Sequence, residues 1–195
     1  MPSVIAGSAP ADSDLPPGQR VTAPPLAESQ AVAPRVRRDR WTFTIAVEGS
    51  AVRTWTWPAF QAMPHQRVCV DLHSEAGWSL LATNWEGVPL RVLFAGVSQR
   101  AEFARVDTYT DFTANLPLDD LLEMPTWIAD SYEGRPIPSR AGGPARLLVP
   151  HLYLWKSARW VRAIDLSDRE RPGTRERAGW HNYGDPWLQQ RYRDH

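Results

Sequence analysis

The sequence predicts an α+β fold: a single domain built on a curled mixed β-sheet or barrel with short peripheral helices. Three observations carry this expectation. Several short segments alternate apolar and polar residues with the period of two that a half-buried strand requires. Proline and glycine punctuate the chain, 18 and 12 of them in 195 residues, so corners are frequent and long helices are not. No internal repeat and no regular alternation of strands with long helices is present, which argues against a Rossmann or TIM architecture.

The 195 residues suit one packed domain. Residues 1–38, with Pro16-Pro17-Gly18 and Pro24-Pro25 breaking any regular element, read as an extended, partly disordered segment ahead of a domain spanning 39–195. From Trp41, WTFTIAV alternates as a strand and turns at Glu48-Gly49-Ser50, and VRTWTW supplies an antiparallel partner. PAFQAM, from Pro58, reads as a short helix with proline in its first turn, and RVCVDL, from Arg67, as a strand. A Gly77-Trp78 turn and a Trp85-Glu86-Gly87 turn follow, then an apolar run from Val88 to Val97 in which Pro89 suits a helix start. Arg105 to Thr110 is a further strand, and PLDDLLEM a helix with Pro117 at its start and Asp119 and Asp120 near its positive end. ARLLVPHLY and ARWVRAIDL read as buried strands, and Trp187 to Tyr192 as a last helical turn.

Charge balances at 22 basic against 22 acidic residues, so no net field draws the protein to nucleic acid or an anionic membrane. No apolar run approaches the roughly 20 residues of a membrane helix, and no signal peptide is evident, so a cytoplasmic location is expected. The single cysteine, Cys69, excludes an internal disulfide or a multi-cysteine metal site, and is expected to be a buried structural residue. The ten tryptophans are expected to be core and turn anchors.

Five later segments, WEGVPLR, TANLPLDDLL, YEGRPIP, GGPARLLVPHLYLWKSARWVRAIDL and GWHNYGDPWLQQRY, resemble in order and spacing the sulfite-oxidase-type molybdopterin oxidoreductases, especially the small bacterial branch near the methionine sulfoxide reductase catalytic subunit. The resemblance covers roughly residues 40–195 and implies a buried molybdopterin whose metal is held by one protein thiolate, a small-molecule substrate and a redox partner protein. It leaves no room for the amino-terminal haem domain or the carboxy-terminal dimerisation domain of some members. The family's His-Cys-x-x-x-Trp-Ser stretch matches His73-Ser74-Glu75-Ala76-Gly77-Trp78-Ser79, so Ser74 falls on the molybdenum ligand. By the same resemblance Arg146, Lys156, Ser157, Thr113 and Asn115 are cofactor contacts, the cationic ones at the phosphate end. Two departures accompany Ser74: Ala141 replaces the histidine that opens the Gly-Gly-Pro motif, and Thr174-Arg175-Glu176 follows Pro172-Gly173 in place of an aromatic residue and Trp-Glu.

A serine hydroxyl must lose a much less acidic proton than a thiol to bind metal. Three readings therefore stand at this point. The protein binds molybdopterin with altered ligation through Ser74. Alternatively it binds no cofactor, and the vacated pocket does acid-base chemistry through His73, Ser74 and Glu75, with Asp71, His151 or His181 as further candidates. Or it is a non-catalytic binding protein. A Ser-His-acid hydrolase is disfavoured because no Gly-x-Ser-x-Gly elbow surrounds Ser74. His181, Tyr183 and Asp185 read as a turn network.

Overall fold

The computed structural model describes residues 15–22, 32–97 and 101–193. Two open mixed sheets form the domain, so the curled sheet expected from the sequence is present and barrel closure is not. The first sheet contains β1 (Arg20–Val21), β4 (Gln66–His73), β5 (Trp78–Pro89), β8 (Trp127–Tyr132), β9 (Arg135–Pro136) and β10 (Arg146–Leu148). The second runs in the order β3 (Ser50–Thr56), β2 (Thr42–Val47), β11 (Val161–Ser167), β6 (Phe103–Thr108), β7 (Thr113–Pro117). Each holds one parallel pair, β1 with β5 and β11 with β2, among antiparallel ones. Four short helices lie at the periphery: α1 (Trp57–Gln61), α2 (Leu90–Leu93), α3 (Leu118–Leu122) and α4 (Thr174–Arg177). None is long and apolar enough to cross a membrane.

The alternation in the sequence sorts side chains between two apolar layers. Phe43 and Ile45 of β2, Val106 of β6 and Ile164 and Leu166 of β11 meet Val88, Ile128 and Leu147 of the first sheet in the main core, which α1 to α3 close with Phe60, Leu90 and Leu121. The opposite face of the first sheet carries a second, smaller core of Leu72, Leu80, Trp85, Trp127, Ala129 and Leu148, roofed by Ile137 and Ala141. The middle of this sheet is therefore apolar on both sides, and residues 127–129 are continuously buried. Arg146 shares a face with Leu148 and so points into the second core. Six of the tryptophans are buried, as the anchor reading expects.

Four expectations need correction. ARLLVPHLY forms a strand only over Arg146–Leu148, where β8 supplies a partner. Trp85-Glu86-Gly87 is not a turn but the middle of β5, a 12-residue strand with a bulge where Glu86 and Gly87 face Ser131 and Ala129. The glycine is required there by proximity: a Cβ on Gly87 would lie 2.6 Å from the Cα of Ala129. Cys69 is exposed, because in β4 the half-buried positions are Val68 and Val70, which pack on the second core while Cys69 faces away. Finally, Trp187 to Tyr192 forms turns closed by an isolated bridge between Trp180 and Tyr192, not a helical turn. Of the amino-terminal segment, residues 15–22 lie against β5 with Leu15 buried, and Pro24-Pro25 falls outside the described residues.

Gly87→Ala is expected to destabilise the domain by about 3 kcal/mol, the upper range for overpacking, because backbone rather than a side-chain tip receives the methyl group. Chemical denaturation monitored by tryptophan fluorescence measures it, and a loss below about 1 kcal/mol would mean the bulge relaxes freely.

Candidate functional site

The β4–β5 hairpin positions His73, Ser74 and Glu75. Ser74 N–H donates to Trp78 O at 2.8 Å and Gly77 N–H to Ser74 O at 3.0 Å, with Gly77 at φ 83°, a left-handed conformation that suits glycine. Ser74 Oγ accepts from Ala76 N–H at 3.2 Å and lies 3.5 Å from Glu75 Oε2, while Glu75 Oε1 is 3.9 Å from the Arg175 guanidinium. Ser74 and His73 are both buried, at 4% and 6% exposure. His73 Nδ1 pairs with Ser79 Oγ at 2.8 Å, and burial holds its imidazole below the ordinary histidine range, with Asp71 acting in the opposite direction.

Two segments far apart in sequence, around Gln19 and around Trp187 to Arg191, close over this hairpin. Gln19 donates through Nε2 to Ser74 O at 2.9 Å and accepts from Ser79 Oγ at 3.2 Å, held in place as the strand after it pairs with β5. From the other segment, Arg191 Nε donates to Glu75 O at 3.2 Å, and Trp187 meets the His73 ring edge-on at 6.4 Å. Neither contact was foreseen, because a proline-rich leader and a loop-like tail carry no local pattern that points to a site.

The expected cofactor contacts divide into one uncompensated cation and a network built on an ion pair, in which only Glu176 Oε2 lacks a hydrogen-bond partner. Arg146 is fully buried with no carboxylate against it among the described residues: Nη1 and Nη2 donate to the carbonyls of Ala141 at 3.0 Å and Ser157 at 2.7 Å, and Nε has no partner. Its guanidinium lies 5.6 Å from the Trp85 ring. Desolvation, reinforced by Arg159, lowers its pKa to about 9, so the site is short of negative charge.

Lys156, by contrast, is satisfied within the protein. Its Nζ makes a 2.7 Å ion pair with Glu176 and donates to Asn115 O, Asn115 Oδ1 and Asn182 O, and both Lys156 and Glu176 have no exposed surface. Burial lowers the lysine pKa and Glu176 opposes that shift. Asn115 Nδ2 donates to Glu170, Ser157 Oγ accepts from Val149 N–H, and Thr113 N–H donates to Thr174 Oγ1 at 2.9 Å. Glu176 was named in the sequence only as part of the altered Thr174-Arg175-Glu176 motif, not as a partner of Lys156.

The remaining candidates are engaged in contacts of their own. His151 pairs with Asp120 at 2.9 Å beside α3. Asp71 accepts from Ala82 N–H at 2.7 Å. His181 Nδ1 accepts the amides of Tyr183 and Gly184, and Asp185 accepts those of Trp187 and Leu188, which is the turn network expected from the sequence. Among the described residues no group of three or more His, Cys, Asp or Glu could hold a metal ion.

A cofactor with an anionic end and its own metal donors suits this arrangement at Arg146, where a buried donor and charge lack a counterpart. At the other end the protein offers a hydroxyl oxygen.

Comparison with known proteins identifies the family and the fold. The family model described as oxidoreductase molybdopterin binding domain matches residues 30–175. The chain is similar to the uncharacterized oxidoreductase YuiH of Bacillus subtilis (strain 168), 39% identical over 134 residues that cover 68% of each protein. It is similar to the putative protein-methionine-sulfoxide reductase subunit YedZ1 of Azospira oryzae, 24% identical over 75% of this chain and 57% of that protein. A third relative, the protein-methionine-sulfoxide reductase catalytic subunit MsrP of Gluconobacter oxydans, is 27% identical over 65% of this chain and 45% of its own length. The chain thus spans about half the length of the last two. The sulfane dehydrogenase SoxCD from Paracoccus pantotrophus shares the fold, with a TM-score of 0.63 at 17% identity over 75% of this chain and 42% of that one.

Lys156→Met is expected to cost about 3–5 kcal/mol in denaturant unfolding, because it strands the Glu176 carboxylate in a dry site. Adding Glu176→Leu should recover most of that loss. A double variant no more stable than the single one would show that the pair's neighbours, not the stranded charge, set the cost.

Proposed function

This chain belongs to the oxidoreductase molybdopterin binding domain family, and from that premise we propose that it is a molybdopterin-dependent oxidoreductase with altered metal ligation. Arg146 holds the cofactor's phosphate and Ser74 stands at the metal. The observation that carries the reading is the buried Arg146 guanidinium with its unpartnered Nε: a phosphate oxygen would satisfy the donor and neutralise the charge together. When bound, molybdopterin supplies two-electron redox chemistry at a metal.

The chain's own residues do the rest. Ala141 and Ser157 carbonyls aim the Arg146 fork, and Trp85 flanks it. The Ser74 turn presents Oγ with the Ala76 amide behind it, and Glu75 is within reach of that hydroxyl. His73, held below its usual range by burial, stays neutral near pH 7 and fixed on Ser79. The burial of Ser74 suits a small molecule or a single side chain as substrate. Electrons come from a separate redox protein, a reading supported by the words "catalytic subunit" in the name of a relative.

Protein purified from a host that makes the cofactor is expected to contain molybdenum, measured by mass spectrometry, and pterin, measured by fluorescence after oxidation. Arg146→Gln should reduce pterin content roughly tenfold or more, the loss of a charge-assisted contact. Ser74→Ala should lower molybdenum while leaving more of the pterin in place. Wild-type protein with neither molybdenum nor pterin would sink the proposal.

A further inference from the structure

Tyr153 is fully buried, and its hydroxyl has no hydrogen-bond partner. Unpaired buried hydroxyls are destabilising and seldom kept without a role. Its ring cannot turn away to find one: Trp155 stacks on it with centroids 5.2 Å apart, and the Arg191 guanidinium lies 5.2 Å from its centroid. The backbone is pinned as well, with Tyr153 N–H donating to Gly184 O at 2.8 Å.

The surroundings of this hydroxyl are those of Ser74. The Gln19 carboxamide lies against it, and its second amide proton can only donate to the phenol oxygen, while its carbonyl already accepts from Ser79 Oγ, so the phenol's own proton is left without an acceptor. Arg191, which covers the ring, also donates to Glu75 O. Burial raises the phenol pKa, with Arg191 and Gln19 opposing, so near neutral pH the oxygen keeps its proton and acts as a donor. A fixed donor beside the Arg191 cation favours an acceptor that carries negative charge, such as an oxo or oxyanion oxygen.

We propose that Tyr153 is a ligand-binding residue of the Ser74 site, its hydroxyl donating a hydrogen bond to an oxygen of the group bound there. The proposal rests on the reading of this site as a molybdopterin centre, and it assigns the residue a role that differs from those of Ser74 and Arg146. Because the donor is unsatisfied without ligand and satisfied with it, the hydroxyl should weaken the empty protein and strengthen the loaded one.

The test is the melting temperature of wild type and Tyr153→Phe, each purified from a host that makes the pterin and from one that cannot. Without cofactor, Tyr153→Phe is expected to melt about 2–4 °C above wild type, since only an unpaired hydroxyl is removed. With cofactor the order should reverse, and the variant should retain less pterin. If the empty variant melts at or below wild type, or both proteins gain equally on loading, the proposal is overturned. Absence of pterin from loaded-host wild type is a separate result, read by pterin fluorescence, and overturns the functional reading together with this one.

Discussion

The ion pair between Lys156 and Glu176 is the constraint on which the rest of the site depends. Neither side chain has exposed surface, and the ammonium reaches oxygen atoms on β7 and on the loop at Asn182 as well as the carboxylate of α4. Such a pair is costly to desolvate and tolerable only when every donor finds an acceptor, so it admits one arrangement of the segments that supply them. It thereby fixes the carboxy-terminal stretch against the sheets. Trp155 joins the same carboxylate through its indole N–H and stacks on Tyr153, carrying that fixed geometry toward Ser74.

With that frame set, Arg146 and Ser74 differ in kind. Arg146 is a buried cation without a counter-charge, and such a group is stable only because two carbonyls and an aromatic face partly replace water. It is an incomplete electrostatic arrangement. Ser74 is complete in itself, its backbone and hydroxyl both engaged in the turn. The shortage of negative charge is therefore a property of the second core beneath the first sheet, whereas Ser74 belongs to the buried turn between β4 and β5.

Much of the fold was legible because period-two alternation and turn chemistry are local. The strands at Thr42, Ser50, Gln66, Phe103 and Val161 follow from it within a few residues. The failures share one physical source: information held by a distant partner. Gly87 looks like a turn residue until β8 is placed against it, and ARLLVPHLY looks like one long strand although only Arg146 to Leu148 find a neighbour to pair with. In the site, the motif around His73 and Ser74 pointed to the hairpin, and the turn network at His181 was readable from its residue types. The placement of Gln19, Tyr153, Glu176 and Arg191 was not, because nothing near each in sequence marks it as polar and functional rather than merely polar.

The closure of two distant segments over one hairpin also bears on local opening. Gln19 meets Ser74 across 55 residues and Arg191 meets Glu75 across 116. The pairing of β2 with β11 spans as far, but it is shared along a whole ladder, whereas these are single side-chain contacts and so are expected to open before the sheets. A disturbance that releases Gln19 or Arg191 would therefore expose Ser74 while leaving both apolar cores packed.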